Sequence, residues 1–329
     1  MSRKHAMLLA MLSVIFAIIL SACGSKEQNA ETQEESGSKE KGYTVEHAMG
    51  TTDIPATPKR IVILTNEGTE ALLSMGVTPV GAVQSWTGDP WYNHIKDDMK
   101  DVQVVGTESE VNLEEIAALQ PDLIIGNKMR QEAFYEKLNQ IAPTVFSETL
   151  RGDWKENFSL YAKALNREEK GKEILGQYDQ KVASLKEKLG DKVNQEVSVV
   201  RFMAGVTRIY YTDSFSGVIF NELGFKRAKQ QEKLFTAENK LGNLAIEVGK
   251  EAIPEMDADR LFYFTYAPQG DNKALATEKE WLNGPLWKNL NAVKNGQVHQ
   301  VDDAIWNTAG GVKAANLMLD DIEKIFFEK

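Results

Sequence analysis

The sequence predicts an α/β protein of two related lobes with mostly parallel central sheets, joined by a long backbone helix. Three observations predict it. From Tyr43 onward, short β-branched runs alternate with helical stretches, the pattern of parallel strands connected by helical crossovers. Residues 43–329 exceed what one hydrophobic core usually fills. A long amphipathic stretch near the middle separates two halves that share a local pattern.

In chain order, Arg60–Leu64 reads as a strand, and Thr69–Met75 as a helix closed by Gly76 at a C-cap position. Val80–Val83 is the next strand. Asn112-Leu113-Glu114 opens a helix that runs to Gln120 and stops at Pro121. Leu123–Ile125 is a buried strand, and Phe134, Leu138 and Ile141 give Met129–Gln140 helical spacing. The second half is expected to repeat this order, with strands at Val197–Met203 and Arg208–Thr212, a helix at Gly217–Leu223 ending at Gly224, and a buried strand at Leu261–Tyr266. Glu114-Glu115-Ile116, Leu119, Asp122 and Ile124 match Glu251-Ala252-Ile253, Met256, Asp259 and Leu261 at identical offsets. Between the halves, Phe158, Tyr161, Leu165, Ile174, Tyr178, Val182, Leu185 and Leu189 recur at three-, four- and seven-residue steps among Lys and Glu. That is helical amphipathicity, and a helical hinge allows only small lobe rotations.

The N-terminal residues address compartment. Arg3, Lys4 and His5 precede an uncharged apolar run, Ala6–Leu20, and then Ser21-Ala22-Cys23. The run is shorter than the ~20 residues a membrane-spanning helix needs and ends in small residues, so it reads as a signal peptide. Leu20-Ser21-Ala22-Cys23 resembles the bacterial lipobox, which implies cleavage before Cys23 and lipid on its thiol. Gly24 to about Gly42 offers nothing to bury and reads as a disordered tether. The expected organisation is therefore residues 1–22 signal peptide, 23–42 lipidated tether, 43–153 first lobe, 154–191 linking helix and 192–329 second lobe. Cys23 is the only Cys, so no disulfide forms within the chain.

Composition excludes several functions. The formal charge is −10, and loss of Arg3 and Lys4 with the signal makes it −12, which is not a nucleic-acid binder's balance. Any anionic ligand must be held by locally placed Arg or Lys. Beyond the signal only His47, His94 and His299 remain, widely separated and without metal-ligand spacing, so no metal is expected to bind directly. No Gly-x-Ser-x-Gly elbow and no phosphate-cradling Gly pattern occurs. Ser216 is expected to cap a helix rather than act as a nucleophile.

Several segments together resemble the helix-linked family of ABC-importer binding proteins, and within it the ferric siderophore-binding lipoproteins. They are Pro58–Val62, Glu70–Gly76, Asn112-Leu113-Glu114 through Pro121–Ile124, Ile141–Thr144, Trp281 with Pro285-Leu286-Trp287, and Trp306-Asn307-Thr308-Ala309-Gly310-Gly311. The resemblance implies a shallow cleft between two lobes, no catalysis, no cofactor, iron that arrives already chelated, and membrane permease subunits as partners. It also implies a monomer lipid-anchored on the extracytoplasmic face of the cell membrane. Hydroxamate or citrate-hydroxamate chelates such as schizokinen or arthrobactin are the expected ligands. Vitamin B12 and haem are the alternatives within receptors, and a secreted siderophore esterase using Ser216 and His299 is the alternative outside them.

Ligands of open α/β sheets sit beyond the carboxyl ends of the strands. Arg130, Arg201 and Arg208 lie at or just after such ends, and an Arg fork matches chelate oxygens bidentately. Trp86, Tyr210, Tyr266 and Trp306 are the candidates to cover the ligand's apolar body. Trp281 and Trp287 are expected to pack the second lobe, while Trp91, Tyr92 and His94 lie in a polar loop and are not counted among the ligand-site residues. In the resembled family an acidic residue on each lobe meets Arg on the permease, which points to Glu114 and Glu251. Both also sit where a Glu would complement a helix dipole.

Overall fold

The computed structural model describes residues 42–150, 152–268 and 271–327. The signal peptide, Cys23 and nearly all of the tether lie outside these residues. Among the described residues no helix is long and apolar enough to cross a membrane.

A hairpin that the strand reading missed comes first: β1 (Tyr43–His47) pairs antiparallel with β2 (Gly50–Ile54). Thr52 Oγ1 ties it to the body by donating to the Thr144 carbonyl at 2.8 Å. The first sheet has the order β5-β4-β3-β6-β7 and is parallel throughout, built from β3 (Ile61–Ile63), β4 (Gly81–Ala82), β5 (Gln103–Val104), β6 (Leu123–Asn127) and β7 (Thr144–Ser147). Its central strands are buried on both faces, as a parallel sheet under two helical layers requires. Side chains alternate accordingly: Ile61, Ile63, Leu123 and Ile125 join one core cluster, while Val62 and Ile124 join the other.

The second sheet is built from β8 (Glu196–Met203), β9 (Val206–Tyr210), β11 (Ala245–Val248), β12 (Arg260–Thr265) and β13 (Val298–Gln300) in the order β11-β9-β8-β12-β13, with β10 (Lys226–Arg227) beside the start of β8. Here the expected repeat of the first lobe fails in part. β8 and β9 form an antiparallel hairpin with no helix between them, and β11 pairs antiparallel with β9. Gly205, at φ +70°, makes that tight connection possible. β12 and β13 keep the parallel pattern.

The sequence echo between the halves has a structural counterpart. Asp122 accepts the amides of Lys59 and Arg60 at 2.9 Å each, and Asp259 accepts that of Glu196 at 2.8 Å. Each Asp thus holds the chain as it enters a central strand. The helices are less alike. Leu113–Ala118 is an α-helix capped by Asn112, whereas Lys250–Met256 is 3₁₀, with Pro254 inside it.

Residues 154–191 form two main helices, Trp154–Ala164 and Glu168–Leu189, broken at Asn166, whose φ is +55°. Met129–Gln140 likewise breaks into short helical turns. The C-terminal helix, Val312–Phe327, packs on Asn66–Ser74, on Trp154–Ala164 and on Glu168–Leu189. The buried Glu70 carboxylate caps its first turn, accepting the Ala314 amide at 2.9 Å and bonding His94 with its other oxygen. One apolar cluster therefore runs from Ile63 through Phe158 and Tyr178 to Phe262 and Met318.

Candidate functional site

The ends of the strands deliver side chains into one open cleft of about 290 Å³. From the first sheet's strand ends come Glu67 in the first turn of the helix after β3, Trp86 after β4, Glu108 after β5, Arg130 after β6 and Leu150 after β7. The facing wall has Arg201 and Met203 on β8, Arg208 and Tyr210 on β9, Phe215, Leu244, and Tyr266 after β12. Asn307–Gly310 contribute along the same wall.

Six of the seven residues expected at a ligand site line this cleft. The three arginines differ in how they are held. Arg201 is 7% exposed, and its fork grips Asp303 through Nε at 2.7 Å and Nη2 at 3.2 Å. Nη1 donates to the Tyr210 hydroxyl at 3.2 Å, and the Tyr266 ring lies 4.7 Å away over the guanidinium. This geometry is a buried bidentate pair roofed by an aromatic face. Arg208 donates to Glu247 at 2.7 Å and 3.2 Å, in a pair open to water. Arg130 is the least committed, with Nε 3.8 Å from Glu108 and its guanidinium 5.7 Å from the Trp86 ring.

Trp306 is corrected. It is fully buried, stacks on Phe262 at 4.9 Å and donates its indole N–H to Asp321 at 2.9 Å. The chain makes a π-helical turn over Ala304–Thr308, which turns Trp306 into the core and leaves Asn307 to Gly310 on the cleft. The Ser216 expectation is also corrected: Ser214 caps Phe215–Leu223 by accepting the Gly217 amide at 3.0 Å, and Ser216 is buried in the first turn. Trp281 and Trp287 pack the second lobe's outer core around Phe202. Trp91 and Tyr92, which are not among the expected ligand-site residues, are buried.

Strand-end reasoning passed over the acids. Glu67 and Glu108, 6% and 4% exposed, lie in the cleft floor. Glu108 accepts the Asn66 amide at 2.7 Å and the Asn66 side chain at 2.9 Å. Glu67 accepts the Tyr161 hydroxyl at 3.3 Å. Burial pushes both carboxyls up, Glu67 well above the ordinary range, against the opposing effect of these hydrogen bonds. Asp303 was missed as well. Both acids carry the strand-end signal that marks the arginines: Glu67 lies four residues after β3, and Asp303 three residues after the strand Val298–Gln300.

Glu114 and Glu251 are exposed and lie in the first turns of their equivalent helical segments. Neither lines the cleft. Among the described residues, no three His, Cys, Asp or Glu side chains come together as a metal site.

A profile of the periplasmic binding protein family matches residues 61–304. The chain is 55% identical over 328 residues to the "probable siderophore-binding lipoprotein YfiY" of Bacillus subtilis, covering 99% of both chains. It is 32% identical over 327 residues to the "Fe(3+)-citrate-binding protein YfmC" of the same organism, covering 98% of each. Among solved structures, Staphylococcus aureus SirA complexed with staphyloferrin B superposes with a TM-score of 0.78 at 41% identity, covering 86% of this chain and 98% of that one. A parallel sheet and a mixed sheet flank long helices, a cleft opens at the strand ends, and the family profile matches most of the folded chain; this protein belongs to the periplasmic binding protein family.

Proposed function

We propose that this protein captures a ferric siderophore, an anionic iron chelate, outside the cytoplasmic membrane and delivers it to the permease of an ABC importer. The observation that carries the reading is the cleft itself: Arg130, Arg201 and Arg208 converge with Trp86, Tyr210 and Tyr266 on one cavity. Forked cations match chelate oxygens, and aromatic faces cover an apolar body with little loss of conformational freedom. A cavity of about 290 Å³ is at the low end for drug-sized ligands, so a bulky chelate would stand partly proud of an open cleft. The names and ligands of the relatives support this reading. An arginine-lined cleft favours citrate-hydroxamate or other carboxylate-bearing chelates over vitamin B12. Lipid on Cys23 would hold the receptor at the membrane as a monomer, with the tether giving it reach, and Glu114 and Glu251 would meet the permease, one from each lobe.

The test is tryptophan fluorescence, with Trp86 in the cleft as reporter. Ferric citrate, ferric schizokinen, a ferric catecholate, vitamin B12 and haem are titrated into the soluble domain. Saturable quenching by an anionic ferric chelate is expected, with the ligand recovered chemically intact. Losing a charged hydrogen bond costs about 1.5–3 kcal/mol, so Arg208→Ala should weaken binding roughly ten- to a hundred-fold. Quenching by vitamin B12 or haem alone, or curves for Arg208→Ala and Arg130→Ala that are both unchanged from wild type, refutes the assignment.

A further inference from the structure

Glu67 poses a physical problem for an anion site. It lies in the floor of the cleft beside a second acid, yet an ionised carboxylate there would repel the cargo that the arginines attract. We propose that Glu67 is a ligand-facing hydrogen-bond donor whose carboxyl holds a proton when the chelate is bound, so that wherever free Glu67 is ionised, capture takes up one proton from solvent. The inference rests on the reading of the cleft as an anionic-chelate site.

The groups around Glu67 act in both directions. From helix Trp154–Ala164 come the Tyr161 hydroxyl at 3.3 Å and the Asn157 side chain, whose hydrogen bonds favour the carboxylate, and Asp153 at that helix's N-cap, whose charge opposes it. From the loop after β5 comes Glu108, whose negative charge acts against ionisation of Glu67, as Asp153's does. Arg130 lies 3.8 Å from Glu108 and partly offsets that acid. On Glu67's own helix, Glu70 is already occupied by His94 and the Ala314 amide. The segment ending at Gly311 closes over the Glu67 carbonyl, where an added Cβ would lie 2.9 Å away. Across the cleft, Arg201 and Arg208 are paired with Asp303 and Glu247, so among the described residues no unpaired cation from that wall is available to hold Glu67 ionised. Burial is the largest influence on the carboxyl and pushes it well above its ordinary range. An arriving anion adds one more negative charge and one more acceptor, and both favour the proton. The sign follows: affinity is full where free Glu67 is protonated and falls as pH rises through its titration.

Wild type and Glu67→Gln are titrated with ferric citrate and ferric schizokinen from about pH 5.5 to 8.5, with calorimetry in two buffers of different ionisation enthalpy. Titration of the chelate itself is common to both proteins and cancels in their difference. Above the titration of free Glu67, wild-type affinity should fall with pH relative to Glu67→Gln by up to about tenfold per unit, and there wild type should take up about one more proton on binding. If circular dichroism shows Glu67→Gln unfolded, Glu67→Ala replaces it, since it too carries no titratable group. Parallel pH profiles with equal proton counts overturn the inference and leave the receptor reading standing. If neither chelate binds, a ferric catecholate replaces them, and binding of none of the three removes the anionic-chelate reading and this inference with it.

Discussion

Asp303→Ala gives the sharpest separation between stability and binding. Arg201 and Asp303 have side chains only 9% and 6% exposed, joined by two hydrogen bonds of 2.7 Å and 3.2 Å. Removing the acid leaves a buried guanidinium whose remaining contacts, the Tyr210 hydroxyl and the Tyr266 ring, do not neutralise it. Breaking one side of a buried pair costs about 3–5 kcal/mol. At about 2 °C per kcal/mol for a chain this long, the ligand-free Tm should fall by roughly 6–10 °C. An anionic chelate would then supply the missing negative charge. The Tm rise produced by saturating ferric citrate should therefore be larger in Asp303→Ala than in wild type, although the variant starts lower. Differential scanning calorimetry with and without ferric citrate reads both quantities. A ligand-free Tm within 2 °C of wild type would show that water or rearrangement solvates Arg201, at odds with the burial argument. A ligand-induced rise no larger than in wild type would mean that the guanidinium does not face the chelate.

Trp306→Phe should lower stability by about 1–3 kcal/mol, through loss of the Asp321 bond and of core volume, while leaving chelate affinity within about twofold. A large affinity loss in a stably folded variant would return Trp306 to the cleft. The raised Glu67 carboxyl also has a stability consequence without ligand: between the unfolded value near ~4.3 and its folded value, the native state binds more protons, so stability falls as pH rises. Glu67→Gln removes that decline, and its unfolding free energy relative to wild type should climb steadily with pH in denaturant titrations. Glu114→Ala combined with Glu251→Ala should bind ferric chelate normally yet support less iron uptake than either single variant, because exposed charges act mainly on encounter and orientation. Normal uptake by a well-expressed double variant would sink the docking role.

Much of the architecture was legible because it is written in local periodicity. Ile61-Val62-Ile63 and Leu123-Ile124-Ile125 are apolar runs buried on both faces, and only strands in a covered sheet need that. The amphipathic spacing from Phe158 to Leu189 announced helices, and placing arginines at strand ends put three of them on one cleft. What periodicity leaves open is the partner across the chain. Arg201 and Asp303 lie 102 residues apart, and Glu70 caps a helix 244 residues away, separations at which no local pattern indicates a contact. Trp306 illustrates the same boundary at short range. Its neighbours reach the cleft while the indole turns to Phe262, because a single π-helical turn decides which side of the chain faces the core. Residue type and order thus determined the layers and the cleft's cations. Tertiary packing decided which carboxylates neutralise those cations, and so how much positive charge is left for a ligand.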